Sequence, residues 1–359
     1  MSNNPLKEIG EFGLIEQIQT WFGETVGDLE AIGDDCTVIP RGNQSMDLVT
    51  TDLLIEGTHF LFEKIKPEDL GYKSLAVNLS DIAAMGGRPK SVWVSIGLTN
   101  RADLRWLELF FQSMHQLAHE HNVRLMGGDT TKSQQHMVIN IMVQGEATPD
   151  QVKYRSSARP GDVVFVTAPL GDSGGGLQLL LDDRKDQAGH IEKKLIRSHN
   201  RPYPFVNEGI WLGNQTAVHA LIDLSDGISS DAGHVANRSG VIIDIELADL
   251  PISNTLMEAS TKHGWDAVNL ASSAGEDYVL LGTCDPSSWQ SMKKSYSETF
   301  HSDMYAVGHV RDRTKNQNRA GSKTAGLTTG GQLRFLKDGK PVDYESHGFD
   351  HFRSHTGKA

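Results

Sequence analysis

Five acid-bearing clusters could do chemistry in this chain: Asp34-Asp35, Thr50-Thr51-Asp52, Asp81, Gly128-Asp129-Thr130 and Asp223-Leu224-Ser225-Asp226. Each falls beside small residues, at an expected strand end, in a turn or on a helix. Magnesium takes hard oxygen ligands and keeps several waters, so a few carboxylates from separate elements, completed by phosphate oxygens, make a suitable site. ATP would supply those oxygens. Taken singly, each acid is also an ordinary helix cap, turn former or surface charge. Asp81 is the sharpest case. Among Asn78, Leu79, Ile82, Ala83 and Ala84 on an otherwise apolar helix, it would be costly to bury unpaired, and a metal would remove that cost.

Other candidates are weaker. The glycine-rich stretch Pro169 to Gly176 leads into an expected helix at Leu177 to Leu181, where backbone N–H groups could approach an anion. It reads equally as a tight structural turn, and it lacks the Lys-Ser/Thr of a P-loop. His59 follows an acidic strand end and could touch a substrate phosphate, although a lone histidine is more often structural. Arg155 could clamp ATP phosphates bidentately or be a plain linker arginine. Glu276-Asp277 is either a strand-start turn or a pair of pocket-lining acids. No Ser/His/Asp or Cys/His spacing suggests a nucleophile.

Two α/β units would position these residues. In the first, a helix over Glu11 to Phe22 is followed by strands near Cys36 to Ile39 and Asp47 to Thr51. A helix over Glu68 to Met85 turns Leu70, Leu75, Leu79 and Ile82 inward and stops at Gly86-Gly87. Next come a strand over Ser91 to Leu98, a helix over Ala102 to Asn122, and an apolar strand over Met137 to Glu146 expected to be buried on both faces. The turn-rich segment Gln151 to Asp162 marks a boundary, giving domains 1–150 and 151–359. Beyond it, strands at Val163 to Thr167, Ala220 to Leu224, Val241 to Ile245 and Tyr278 to Gly282 alternate with helices near Ser229 to Arg238, Ser253 to His263 and Ser287 to Lys293. Arg311 to Gly331 has no periodicity and reads as a mobile loop.

Composition narrows the function classes. A chain of 359 residues is long for one core, which fits two domains. The formal net charge of -12 argues against a duplex nucleic-acid binder, which needs a basic face. Cys36 and Cys284 are far apart and supply neither a disulfide framework nor a zinc site, as expected for a reducing cytoplasm. Without a basic start followed by an apolar run, and with no stretch of membrane-spanning length, a soluble, unprocessed protein is expected.

In series, AIGDDCTVIP, TTDLLIEGTHF, KSLAVNLSDIAAMGG, LMGGDTT, ARPGDVVFVTAPLGDSGGGL, IDLSDGISSD, SSAGEDY and GFDHF closely resemble the thiamine-monophosphate kinase family, from Gly10 to about Phe352. Single pieces also suit relatives such as aminoimidazole ribonucleotide synthetase and selenophosphate synthetase, whereas the series favours the kinase. The resemblance implies a two-domain α/β fold of the aminoimidazole-ribonucleotide-synthetase type, with the N-terminal sheets of two subunits pairing into a dimer barrel. It matches Asp35, Thr50, Thr51, Asp52, Asp81, Asp129, Asp223 and Asp226 to magnesium positions, and Gly128, Asp129, Arg155 and Ser225 to ATP contacts. His59 and Glu276 match contacts to thiamine monophosphate. Phe349 stands where a relative's Tyr touches the substrate, keeping the ring for stacking and losing the hydroxyl.

The implied reaction is in-line transfer of the ATP γ-phosphoryl group to thiamine monophosphate, giving thiamine diphosphate and ADP with several magnesium ions. The accepting phosphate, with a second pKa of about 6, is already an anion near neutrality. No residue is therefore assigned as general base, and the acids are read as ligands. The rival readings are an ATP-dependent cyclo-ligase of the same superfamily and a catalytically silent nucleotide-binding dimer.

Overall fold

The computed structural model describes residues 5–22, 32–42, 44–182, 189–313 and 330–344. Most of the segment expected to be a loop over Arg311 to Gly331, and Phe349, lie outside them. Helix α1 (Pro5–Phe22) is broken at Gly10, whose φ is 68°, just before Glu11, the expected start of the helix.

Strands β1 (Thr37–Pro40), β2 (Met46–Ile55), β3 (Arg88–Leu98), β4 (Arg124–Lys132) and β5 (Val138–Ala147) form one sheet in the order β1-β2-β5-β3-β4. All pairings are antiparallel except β3 with β4. Helices α2 (Pro67–Ala84) and α3 (Leu104–Glu120) belong to the same unit. Pro67 at the first helical turn, with Glu68 and Asp69 beside it, suits a helix start. The inward set Leu70, Leu75, Leu79 and Ile82 is fully buried as the spacing implies, each side chain contributing about 1.5–3 kcal/mol. At the other end Gly86 takes φ 72°, and a Cβ there would come within 2.5 Å of the Gln151 carbonyl oxygen and 2.9 Å of Gly213 Cα. Only glycine suits that junction.

Two expectations change here. Strand β5 is buried on alternate residues, not on both faces, because α2 packs on one side of its sheet. Gly128-Asp129-Thr130, expected at a turn or strand end, lies inside β4.

A second sheet runs β12-β11-β8-β10-β6-β9-β7, built from β6 (Val163–Val166), β7 (Val218–Asp223), β8 (Ile242–Glu246), β9 (Leu280–Cys284), β10 (Tyr305–Arg311), β11 (Gln332–Lys337) and β12 (Lys340–Val342). Around it are α4 (Asp172–Leu181), α5 (His190–Asn200), α6 (Val206–Gly213), α7 (Ile228–Ser239), α8 (Asn254–His263), α9 (Ala267–Ser273) and α10 (Trp289–Phe300). The result is the expected mixed α/β architecture with two sheets. Helix α2 joins the cores, since Leu70 to Ile82 pack in the first while Ala83 and Ala84 pack with Leu212, Leu221 and Val164 in the second. No helix among the described residues is long and apolar enough to cross a membrane.

Candidate active site

Strand β2 presents Thr50 and Asp52 on the face toward α2, because alternate side chains of a strand share a face. Asp81 on α2 accepts a hydrogen bond from Thr50 Oγ1 at 2.5 Å, so it is not unpaired, although a neutral hydroxyl leaves its charge uncompensated. Asn78, one turn earlier, accepts from the backbone N–H of Asp52 at 3.0 Å. Ser80 donates to Asp223, at the end of β7, over 2.5 Å. One carboxylate oxygen from each of Asp35, Asp81 and Asp223 lies within 4.8 Å of the others.

Burial, and after it the neighbouring negative charges, raise the pKa values of Asp81, Asp223 and Asp52. Burial, reinforced by Asp52, Asp223 and Asp35, holds Asp81 well above the ordinary carboxylate range. Asp223 is raised chiefly by burial and then by Asp35, and Asp52 is pushed to about 6 by burial and Asp35. One cation stands at the edge: Arg155 pairs with Asp35 through its guanidinium, while its backbone N–H donates to Asp34 at 2.7 Å. Burial lifts Asp34 to about 7 despite that bond. A trio of carboxylates joined by hydroxyl oxygens, with one guanidinium nearby, fits a hard divalent cation such as magnesium.

Beside the trio opens a cavity of about 440 Å³ whose wall includes Asp52, His59, Lys73, Ser225, Asp226 and Glu276. His59 Nδ1 accepts from the backbone N–H of Ile55 at 2.9 Å, so its proton sits on Nε2 and makes that atom a donor. Glu276 N–H donates to Ser225 O at 2.7 Å and Tyr278 N–H to Leu224 O at 2.9 Å, tying the substrate-side loop to the acidic loop after β7. Both Glu276 and Tyr278 take positive φ, 64° and 53°, a strained geometry of the kind found at ligand clamps.

The remaining candidates fall elsewhere. Thr51 points to the opposite face of β2, where it accepts from Asn140 at 2.8 Å. Asp52 pairs with Ile141, Ile141 with Val94, and Val94 with Gly128. Gly128 and Asp129 are thus three strand spacings from Asp52, about 14 Å along the sheet. The glycine-rich stretch is helical from Asp172 onward, and a Cβ on Gly176 would meet the Leu195 carbonyl oxygen at 2.2 Å. Its glycines serve packing against α5 and the end of α9. The N–H groups of Gly171 and Ser173 donate to the Asp277 carboxylate at 2.6 and 3.2 Å, which already fills the anion site at that helix start.

Residues 33–147 match the family described as AIR synthase related protein, N-terminal domain, and residues 159–317 match its C-terminal domain. The thiamine-monophosphate kinase of Haemophilus influenzae is 36% identical over 96% of this chain and 98% of its own length. The chain belongs to the thiamine-monophosphate kinase family. A solved structure of the Aquifex aeolicus enzyme is similar at a TM-score of 0.77, with 33% identity over 94% of this chain and 99% of that one. Another, AaThiL complexed with AMPPCP and TMP, is similar at a TM-score of 0.80, with 34% identity over 96% and 98%. Membership of the thiamine-monophosphate kinase family makes the chain a phosphotransferase with a phosphate group as acceptor.

Sequence reasoning passed over Ser80 as the partner of Asp223, and it passed over Lys73 and His199. Lys73 carried a readable signal, because it shares the stripe of α2 that holds Val77 and Asp81.

Proposed function

We propose that this chain is a thiamine-monophosphate kinase that transfers the γ-phosphoryl group of ATP to thiamine monophosphate, releasing ADP and thiamine diphosphate. The observation that carries this reading is the trio Asp35, Asp81 and Asp223, next to a cavity walled by both units through residues that include Asp52, Asp226 and Glu276. A terminal phosphate oxygen of thiamine monophosphate attacks the γ-phosphorus, the bond to the β-phosphate oxygen breaks, and ADP leaves. That nucleophile is an anion near neutral pH, so the chain's acids serve as ligands and none as general base.

Asp35, Asp81 and Asp223 would hold magnesium, with Thr50, Thr51, Asp52, Asp129 and Asp226 as further positions. When bound, magnesium neutralises charge as two polyanions are brought together. Arg155 and Ser225 would orient the nucleotide, and His59 and Glu276 the thiamine monophosphate.

A homodimer is part of the proposal. The face of the first sheet turned away from α2 carries Leu53, 48% exposed, and Met142, while Leu125 and Met126 on β4 are 60% and 58% exposed. A second copy covering this face would bury apolar surface and bring Gly128 and Asp129 of the partner subunit toward the acids. The unit 1–150 would then carry metal, nucleotide and dimer contacts, with 151–359 completing the site. A cytoplasmic location is supported by two free, buried cysteines.

Incubation with magnesium, ATP and thiamine monophosphate tests the reading. Stoichiometric ADP and thiamine diphosphate are expected; nucleotide binding without turnover would favour a silent sensor instead.

A further inference from the structure

The cavity wall holds a buried charged group to which the metal and nucleotide contacts assign no part. Lys73 is 1% exposed, and its Nζ lies 2.9 Å from Glu276 Oε1. No acceptor among the described residues is aligned for a hydrogen bond from that ammonium. An ammonium has three N–H bonds, so a buried one with a single ion-pair contact retains donor capacity, and Lys73 lines the cavity. The other oxygen of Glu276 lies 3.3 Å from His199 Nδ1, which in turn is 3.1 Å from Ser173 Oγ. Lys73 and Asp81 are eight residues apart on α2, about 12 Å along its axis at 1.5 Å per residue. The cavity wall therefore carries Lys73, Glu276 and His199, with Lys73 about two helical turns from Asp81 along α2.

We propose that Lys73 and Glu276 form a donor–acceptor pair that reads the aminopyrimidine ring of the substrate, with His199 as the positioning residue for the Glu276 carboxylate. The proposal rests on the reading of thiamine monophosphate as substrate. An aminopyrimidine presents an exocyclic N–H₂ donor next to a ring-nitrogen acceptor. A carboxylate beside an ammonium offers the complementary order, acceptor next to donor, from side chains whose spacing is set by their own ion pair. Burial of Lys73, with Glu276 partly buried beside it, raises the penalty for a ligand that leaves either unmatched. An analogue with oxygen in place of the amino group offers an acceptor to Glu276 and is rejected. The strained backbone at Glu276 and Tyr278 fits this role, since a positive φ at a non-glycine residue persists where the surroundings over-determine it. Ser173 and His199 come from α4 and α5, so the packing of the glycine-rich helix start also supports the carboxylate.

The test compares thiamine monophosphate with its 4′-oxo analogue in the full chain with magnesium and ATP. Wild type should favour the amino substrate by about 100-fold or more in kcat/KM. Lys73→Met and Glu276→Gln should each raise KM for thiamine monophosphate at least about tenfold, leave KM for ATP unchanged and narrow the amino/oxo ratio to within about tenfold. His199→Asn, which keeps a nitrogen donor, should retain more of the ratio than His199→Phe. Unchanged ratios in folded variants, read by normal ATP affinity, would overturn the proposal, as would a wild type indifferent to the amino group. If Lys73→Met does not fold, the Glu276→Gln ratio decides alone. A wild type that makes no thiamine diphosphate fails the substrate reading instead, a separate outcome.

Discussion

Ser80 on helix α2 donates a hydrogen bond to Asp223 at the end of β7, 2.5 Å away across 143 residues of chain. The bond joins the two units at the acidic trio, so it should matter for assembly as well as chemistry. Ser80→Ala leaves buried Asp223 without its hydroxyl partner, a loss of about 1–3 kcal/mol. Magnesium affinity should fall by about 10–100-fold, the usual effect of removing an outer-shell partner. Isothermal titration with magnesium in the presence of a non-hydrolysable ATP analogue measures it, and unchanged affinity would contradict the role given to Ser80.

Asp81→Asn should lower kcat by more than about 100-fold while the melting temperature without metal stays equal to wild type or rises. The reason is that Asp81 sits against Asp52, Asp223 and Asp35, which with burial hold its pKa well above the ordinary range. An amide needs neither a buried charge nor an added proton at that position, and Thr50 can still donate to the amide oxygen. A folded variant with normal rate would remove Asp81 from the site.

Stability without metal should fall as pH rises from 6.5 to 8. Asp34 has its pKa lifted to about 7 by burial, Asp277 likewise to about 7 by burial, and Asp81, Asp223 and Asp231 lie well above the normal value, with burial the largest cause in each. In this window the folded state holds protons that the unfolded state has released, so the slope of stability with pH is negative. His199 and His234, lowered to about 4 by burial, act in the other direction, but mostly below about pH 7 and with fewer groups. Magnesium competes with those protons, so its stabilisation should be larger at pH 8 than at pH 6.5. Melting curves in EDTA and in saturating magnesium at the two pH values check both statements. A metal-free melting temperature that rises over this window would refute the first.

Arg155→Lys should behave more like Arg155→Met than like wild type. The guanidinium pairs with buried Asp35 while the same residue's N–H holds Asp34, and a compact ammonium on a flexible stem does not reproduce a planar fork. Loss of the charge leaves Asp35 beside Asp81 and Asp223 uncompensated, at a cost of about 3–5 kcal/mol for a fully broken buried pair. KM for ATP should rise at least about tenfold in both variants; a near-normal KM in Arg155→Lys would argue against a bidentate role.

Much of this geometry was legible from periodicity. The repeat of Leu70, Leu75, Leu79 and Ile82 gave the buried stripe of α2, and Asp81 stood out because that stripe is apolar. Convergence of Asp35, Asp81 and Asp223 was not legible from spacing alone, because it depends on how β7 docks beside α2 and not on any local rule. Strand β4 escaped notice because its nine residues are all exposed and include Gly-Gly-Asp-Thr-Thr, a composition that reads as a turn. Gly174 to Gly176 read as a loop on propensity, but close packing against α5 and α9 overrides it. Lys73 was passed over because lysine is ordinarily solvated, and only the placement of Glu276 opposite it makes burial tolerable.

Asp129 and Asp81 should complement each other between subunits. Within one copy Asp129 lies about 14 Å along the sheet from Asp52, exposed on the edge strand β4, whereas Asp81 is in the acidic trio. If a dimer brings the partner's β4 to the trio, Asp81→Asn and Asp129→Ala homodimers should each be inactive. Mixing them after dissociation and reassociation gives half heterodimers, in which one of two sites has both acids intact. Recovered activity should then approach about one quarter of wild type. If both acids acted within one copy, every site in the mixture would lack one of them and no activity would return. The same dimer should weaken in Leu53→Asp, which puts a charge on the uncovered face, and sedimentation of that variant as monomer with loss of turnover would tie the two observations together.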